Sequence, residues 1–302
     1  PGLAALLPAL VALAFGAFAC DSGDGTASAP PTNDEPTASS TVASVPVATA
    51  TPTVTIVPTA TVPPEPARNC VTDPAGYRAT LEQLEQDVAQ TMEGYDGTWG
   101  FSLIDLDCGA MAAVNADYVQ YAASAGKLPF IIAALRAVQE GRLELTEIQE
   151  DLELVLHFSL DKNADNIGER VTNDEVWAVL RLSDVSELTT FRDSWRNFFT
   201  TPADLARIWA AILGGELLDK ERTELFLTLA SEAAVPPENE TWPAEFTEPS
   251  LRFGQKAGYW VTSGTPYYLV GAGYLLPVDG SSRGFAPVIL LIGNDEDLRE
   301  PQ

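Results

Sequence analysis

Lysine is scarce in this chain: four occur among 302 residues, and the other thirteen of its 17 Lys and Arg side chains are arginines. Two of the four lie in Ser124-Ala125-Gly126-Lys127 and in Lys256-Ala257-Gly258. A lysine taken out of water can lose its proton and act as a base, which an arginine in practice cannot. Ser124 and Lys127 are three apart at the head of an apolar run, so a helix would place both on one face. Free backbone N–H groups at such a helix head favour a developing oxyanion. The apolar run after Lys127 would lower its pKa by desolvation and let it take the Ser124 proton. Lys256 lies on a strand-like stretch, where it can hold a carboxylate as a point charge, and Gly258 permits close backbone approach. Each motif alone is weak, since a Ser followed three later by Lys arises about once by chance in a chain of this size. The two together, in this order, point to a serine–lysine hydrolase.

Several elements must position these residues. Asp73-Pro74 gives an N-cap and first-turn proline to a helix whose Tyr77, Leu81, Leu84, Val88 and Met92 recur at helical spacing. Thr98 to Leu106 reads as a strand, Asp107-Cys108-Gly109 as a turn, and Ala110 to Asn115 as a second strand. Buried helices are expected over Leu128 to Val138 and Leu152 to Phe158, and a further one from Thr201-Pro202 to Gly214-Gly215. Leu251 to Val261, Tyr267 to Leu276 and Ala286 to Ile292 are strand-like, with turns at Ser263-Gly264-Thr265-Pro266 and Asp279-Gly280. Helix, hairpin, helical block and three strands make an α+β fold with helices against an antiparallel sheet.

Composition narrows the function. The 43 acidic and 17 basic residues leave a net charge of −26, which repels nucleic acid and anionic membrane surfaces. The single histidine, His157, cannot build a histidine zinc site, and no cysteine pair has metal spacing, so no metal or other cofactor is implied. Residues 1–19 are almost wholly apolar and read as a truncated export signal, with Cys20 as the residue to be lipidated and a retained membrane span as the alternative. Residues 20–66, rich in Ser, Thr, Ala and Pro, read as a disordered tether, and residues 67–302 as the folded domain. Lipid attachment would hold the protein in the cell envelope, on the outer face of the cytoplasmic membrane. Cys70 and Cys108 remain; in an exported protein they are expected to pair, two free thiols being the alternative.

The landmarks Ser124-Ala125-Gly126-Lys127-Leu128-Pro129, Glu140-Gly141-Arg142-Leu143, Thr200-Thr201-Pro202, Gly214-Gly215-Glu216-Leu217-Leu218 and Lys256-Ala257-Gly258 together resemble the class A serine β-lactamases. The resemblance covers about residues 70–295 and implies the penicillin-recognising serine hydrolase fold, with an all-helical lobe, trimmed here, between Ser124 and the last three strands. It implies Ser124 as acylated nucleophile and Lys127 as proton acceptor. The N–H groups of Ser124 and Tyr259 would form the oxyanion hole, and Lys256 would bind the substrate carboxylate. Four departures stand out. Aligned without a gap on Ala164-Asp165-Asn166, the middle Ser-Asp-Asn motif becomes Leu160-Asp161-Lys162; a one-residue shift would restore its proton-shuttling serine as Ser159. Ala257 replaces the threonine of the third motif. Val185 stands where the deacylating glutamate belongs, with Glu187 two residues on. The long C-terminal helix is absent or cut off. The expected protein is a monomeric enzyme that opens a β-lactam amide through an acyl-serine. The alternatives are a catalytically impaired envelope module and a penicillin-binding peptidase acting on D-Ala-D-Ala cell-wall peptides.

Overall fold

The computed structural model describes residues 69–95, 97–231, 250–260, 267–280 and 282–293. The apolar leader, Cys20, the tether and the turn at 263–266 lie outside the described residues.

A short helix α1 (Asn69–Thr72) precedes α2 (Pro74–Thr91). The Asp73 carboxylate accepts from the Gly76 N–H at 3.1 Å, satisfying one donor that the helix cannot. Leu81, Leu84 and Val88 form the buried stripe of α2 and pack on Phe101, Leu103, Ala112 and Leu275 of the sheet. Cys70 and Cys108 form a disulfide across a separation of 38 residues, with Cα atoms 6.4 Å apart, which ties α1 to the turn after the first strand.

The main sheet comprises β1 (Gly97–Asp105), β2 (Met111–Val114), β6 (Leu251–Gln255), β7 (Gly258–Trp260), β8 (Tyr267–Pro277) and β9 (Phe285–Gly293). Its order is β2-β1-β9-β8-β6, with β7 also on β8, and every pairing is antiparallel. Alternation sends Val270, Ala272 and Tyr274 of β8, and Ala286, Val288 and Leu290 of β9, into the larger core. Leu275, Ile289 and Leu291 face the other way. The strand expected over Leu251 to Val261 is interrupted at Lys256-Ala257. The Lys256 N–H still donates to Ala272 O at 3.0 Å, so the backbone stays against β8 through the break.

On the larger core lie α3 (Leu128–Gln139), α4 (Gln149–His157), α5 (Asp161–Gly168), α6 (Asn173–Leu182), α7 (Pro202–Gly214) and α8 (Lys220–Ser231). α3 buries residues around its whole circumference, from Leu128 and Phe130 to Leu135 and Val138. α7 begins at the N-cap Thr201, which accepts from Asp204 N at 3.1 Å, and ends at Gly215 with φ 82°. The helical lobe is not all-helical as expected. Between α6 and α7 a hairpin, β4 (Thr190–Arg192) and β5 (Ser194–Thr200), pairs with β3 (Gln120–Tyr121) in a small second sheet. The aromatic residues Trp195, Phe198 and Phe199 favour a strand there, and Asp193 turns the hairpin with φ 61°.

Asp204 anchors this region. Its fully buried carboxylate accepts from Ser186 N (2.9 Å), Ser186 Oγ (2.7 Å), Thr189 Oγ1 (2.7 Å) and Arg207 Nη1 (2.7 Å). Burial pushes its pKa up, but the bonds from Ser186, Thr189 and Arg207 outweigh burial and hold it below the usual carboxylate value. A depressed folded pKa contributes stability that is complete above the unfolded value of about 3.9 and is lost as pH falls through the folded one. Asp204→Ala would strand the donors of Ser186 and Thr189 and should destabilise the fold by about 3 kcal/mol at pH 7. Urea unfolding from pH 7 down to pH 2 should show the gap between wild type and variant closing in acid; a gap independent of pH would contradict the ionised role.

Candidate active site

Ser124 stands on a 3₁₀ turn, Ala123–Lys127, that leaves the small sheet and enters α3. Ala122 N donates to Phe198 O at 3.0 Å, so the turn starts where the chain leaves β3, still bonded to β5. Ala123 follows with φ 48°, a left-handed conformation that costs a non-glycine residue about 1 kcal/mol or more. Two glycines make room for the turn. A Cβ on Gly126 would lie 2.8 Å from Phe198 Cβ and 2.9 Å from Trp195 O. One on Gly258 would lie 2.4 Å from Ala122 O and 3.0 Å from Ser124 N. β7 therefore runs directly against the Ser124 amide, with Tyr259 as its next residue. This is the approach an oxyanion site built from Ser124 and Tyr259 requires.

The two lysines share a cleft. Lys127, only 1% exposed, donates from Nζ to Asp161 Oδ1 and to Ser159 O, both at 2.6 Å, and reaches Ser159 Oγ at 3.4 Å. Lys256, 3% exposed, lies with Nζ 2.8 Å from Ser159 Oγ and 3.1 Å from Ala257 O. One hydroxyl thus joins two buried amines from opposite ends of the domain sequence. Ser159 is carried by the α4–α5 connection with φ 58°, and that left-handed residue is what turns its side chain inward. Of the stretch Ser159-Leu160-Asp161-Lys162, it is Ser159 and Asp161 that meet the two lysines. Leu160 and Lys162 are both exposed, and neither reaches the cluster. Among the described residues Lys127 Nζ bonds to Asp161 and Ser159 and makes no hydrogen bond to Ser124.

Burial lowers the pKa of Lys127, while the hydrogen bond and charge of Asp161 raise it part of the way back. Lys256 is lowered further, to about 7, first by burial and then by the nearby charge of Lys127. The Asp161 side chain is 57% exposed, so its carboxylate stands at the rim with water on one side.

A second group of residues was not anticipated. The Trp195 ring lies 4.3 Å from Lys127 Nζ and 4.2 Å from the Arg196 guanidinium carbon. Trp195 Nε1 donates to Asp165 Oδ1 at 3.0 Å, and Arg196 pairs with both oxygens of Asp165 and approaches Asp161 Oδ2 at 3.8 Å. The available signal was the aromatic content of Ser194–Thr200, with Trp195, Phe198 and Phe199. Glu187 is exposed and makes no hydrogen bond among the described residues, and Val185 packs against the core. Neither supplies a base beside Lys127. Ala257 brings no hydroxyl next to Lys256.

The arrangement can attack an acyl carbon with Ser124, hold the resulting oxyanion on backbone amides and move protons through Ser159. It depends on the close approach of β7. Gly258→Ala should push β7 off the Ser124 turn and slow acylation of Ser124 by roughly 10²-fold or more. Stopped-flow acylation, with a melting curve as control, checks it; an unchanged rate would show that this approach is not needed.

The sequence model of the "Beta-lactamase enzyme family" matches residues 83–150, the stretch that contains Ser124 and Lys127. No curated protein is significantly similar in sequence. Among solved structures, a β-lactamase from Chitinophaga pinensis superposes with a TM-score of 0.59 at 18% identity, over 73% of this chain and 94% of that one. PBP-A superposes with a TM-score of 0.58 at 22% identity, over 70% and 88%. A Leu-to-Glu mutant of PBP-A, described as an acyl-enzyme complex with penicillin G, gives 0.57 at 20% identity, over 72% and 88%. The chain therefore has the α+β fold shared by class A β-lactamases and PBP-A, the penicillin-recognising serine hydrolase fold.

Proposed function

We propose that this protein is a serine acyl-transfer enzyme that opens β-lactams through an acyl-Ser124 intermediate and releases the acyl group slowly. The observation that carries this reading is the position of Ser159 Oγ, 2.8 Å from Lys256 Nζ and 3.4 Å from Lys127 Nζ. That contact supports Ser159 as the proton-carrying hydroxyl of the cluster and favours a catalytic reading over a purely non-catalytic module. Attack by Ser124 forms the Oγ–acyl bond and breaks the ring C–N bond, with the proton carried to the leaving nitrogen through the cluster.

Hydrolysis of the acyl-enzyme is a separate matter. Among the described residues, the one carboxylate hydrogen-bonded to Lys127 is Asp161, which is already paired with the amine. With no further base to activate water, deacylation should lag by about 10²–10⁴-fold relative to a site that has one. A second reading follows: a penicillin-binding peptidase that cleaves D-Ala-D-Ala peptides. It is favoured by the likeness to PBP-A and by the absence of a base from Glu187. Export to the outer face of the membrane, anchored through Cys20, completes the reading; the Cys70–Cys108 bridge suits an oxidising compartment.

Incubation with a chromogenic cephalosporin, followed by intact mass, tests the proposal. A one-to-one adduct that persists for many minutes is expected, and none with Ser124→Ala. No adduct in the wild type would overturn it. Release of D-Ala from model peptides would favour the peptidase.

A further inference from the structure

We infer that Lys256, acting through Ser159, is the amine that accepts the Ser124 proton, and that Lys127 is held as a permanent cation. This rests on the acyl-serine reading but departs from the role the resemblance implies for Lys127.

The surroundings of the two amines differ in kind. Around Lys127 Nζ are a carboxylate oxygen of Asp161 at 2.6 Å, a carbonyl oxygen of Ser159 at 2.6 Å and the face of Trp195 at 4.3 Å. All three want a positively charged donor. A neutral Lys127 would leave its lone pair with one donor in range, the Ser159 hydroxyl at 3.4 Å. It would also deprive the Asp161 carboxylate of the nearer of its two counter-charges, at 2.6 Å against 3.8 Å for Arg196. Arg196, beyond Trp195, pairs with Asp165 and holds its carboxyl below the usual carboxylate value.

Among the described residues, Lys256 Nζ meets neutral oxygens alone, Ser159 Oγ and Ala257 O, and no carboxylate of theirs lies within hydrogen-bond distance. The charged groups acting on it are Lys127 from the 3₁₀ turn, which repels a second cation, and Asp161 from α5, which offsets this in part. A neutral amine satisfies the geometry fully: one N–H donates to Ala257 O and the lone pair accepts the Ser159 hydroxyl. Ser159 Oγ in turn accepts from Lys127. The hydrogen bonds then run in one direction, from the Lys127 ammonium to the Ser159 hydroxyl to the Lys256 lone pair. The fall of Lys256 to a value of about 7 agrees with this polarity.

In acylation, Ser159 gives its proton to Lys256 as it takes the proton of Ser124. When the C–N bond breaks, the proton returns from Lys256 through Ser159 to the leaving nitrogen. Ser159 and Lys256 end with the protons they began with, and the proton that left Ser124 is carried by the lactam nitrogen.

The small number of lysines makes a direct test practical. With ¹³C-lysine label, the four side chains give four resonances, and Lys162→Arg and Lys220→Arg, both at exposed positions, identify two of them. Titration should show one buried lysine losing its proton near pH 7 and the other remaining charged well above it. Asp161→Asn should lower the titration of the second, which marks it as Lys127, and Lys256→Arg should delete the first. Lys256→Arg keeps the positive charge but cannot be neutral, so its acylation rate should fall by 10²-fold or more. If that variant does not fold, the Asp161→Asn titration still decides between the two lysines. A Lys127 that titrates below Lys256, or a Lys256 that stays charged to pH 9, overturns the inference while a β-lactam adduct still forms. If no adduct forms at all, the acyl-serine reading falls and this inference with it.

Discussion

Two amines buried within reach of one hydroxyl is the constraint around which the rest of this molecule is organised. An isolated buried ammonium is costly, and two side by side repel each other. The chain resolves this unequally. Lys127 is given a carboxylate, a carbonyl and an indole face, while Lys256 is given neutral oxygens alone. Much of the local architecture serves that division. The left-handed backbone at Ser159 aims its hydroxyl inward, the β4–β5 hairpin presents Trp195, and the interruption between β6 and β7 leaves Lys256 free to turn into the cleft.

Glycine does for the nucleophile what burial does for the amines. The Ser124 turn is wedged between β5 and β7, and at both contacts a side chain would collide with backbone. The turn carries its own strain at Ala123, which the surrounding sheets hold in place. Asp204 fixes the loop beneath the hairpin from the N-terminal turn of α7, so one buried carboxylate supports the strand that carries Trp195 and Arg196.

Much of this could be read from the sequence, and the reasons for the rest are physical. The caps Asp73 and Thr201, the stripe of α2 and the pairing of Cys70 with Cys108 rest on local rules or on composition, and they appear as expected. The register of the second motif did not, because counting without gaps assumes ordinary backbone and Ser159 has a positive φ. The β4–β5 hairpin was submerged in a helical block, although its aromatic content was visible. Trp195 and Arg196 could not have been placed at the site by any motif. Their roles come from a cation–π contact and ion pairs with residues some thirty to seventy positions away, and spacing carries no trace of such contacts. The family resemblance supplied the landmarks Ser124, Lys127 and Lys256, but not the difference in charge between the two amines.

The Cys70–Cys108 bridge also gives the domain a load path. A pull on the chain from its N-terminal side reaches the fold at α1 and passes through sulfur to the turn between β1 and β2, bypassing α2. α2 would otherwise be the first element peeled away. With the bridge closed, tension falls instead on the hydrogen-bond ladders that β1 shares with β2 and β9, where many bonds must yield together. Mechanical resistance on that side of the molecule is thereby set by the redox state of one covalent link.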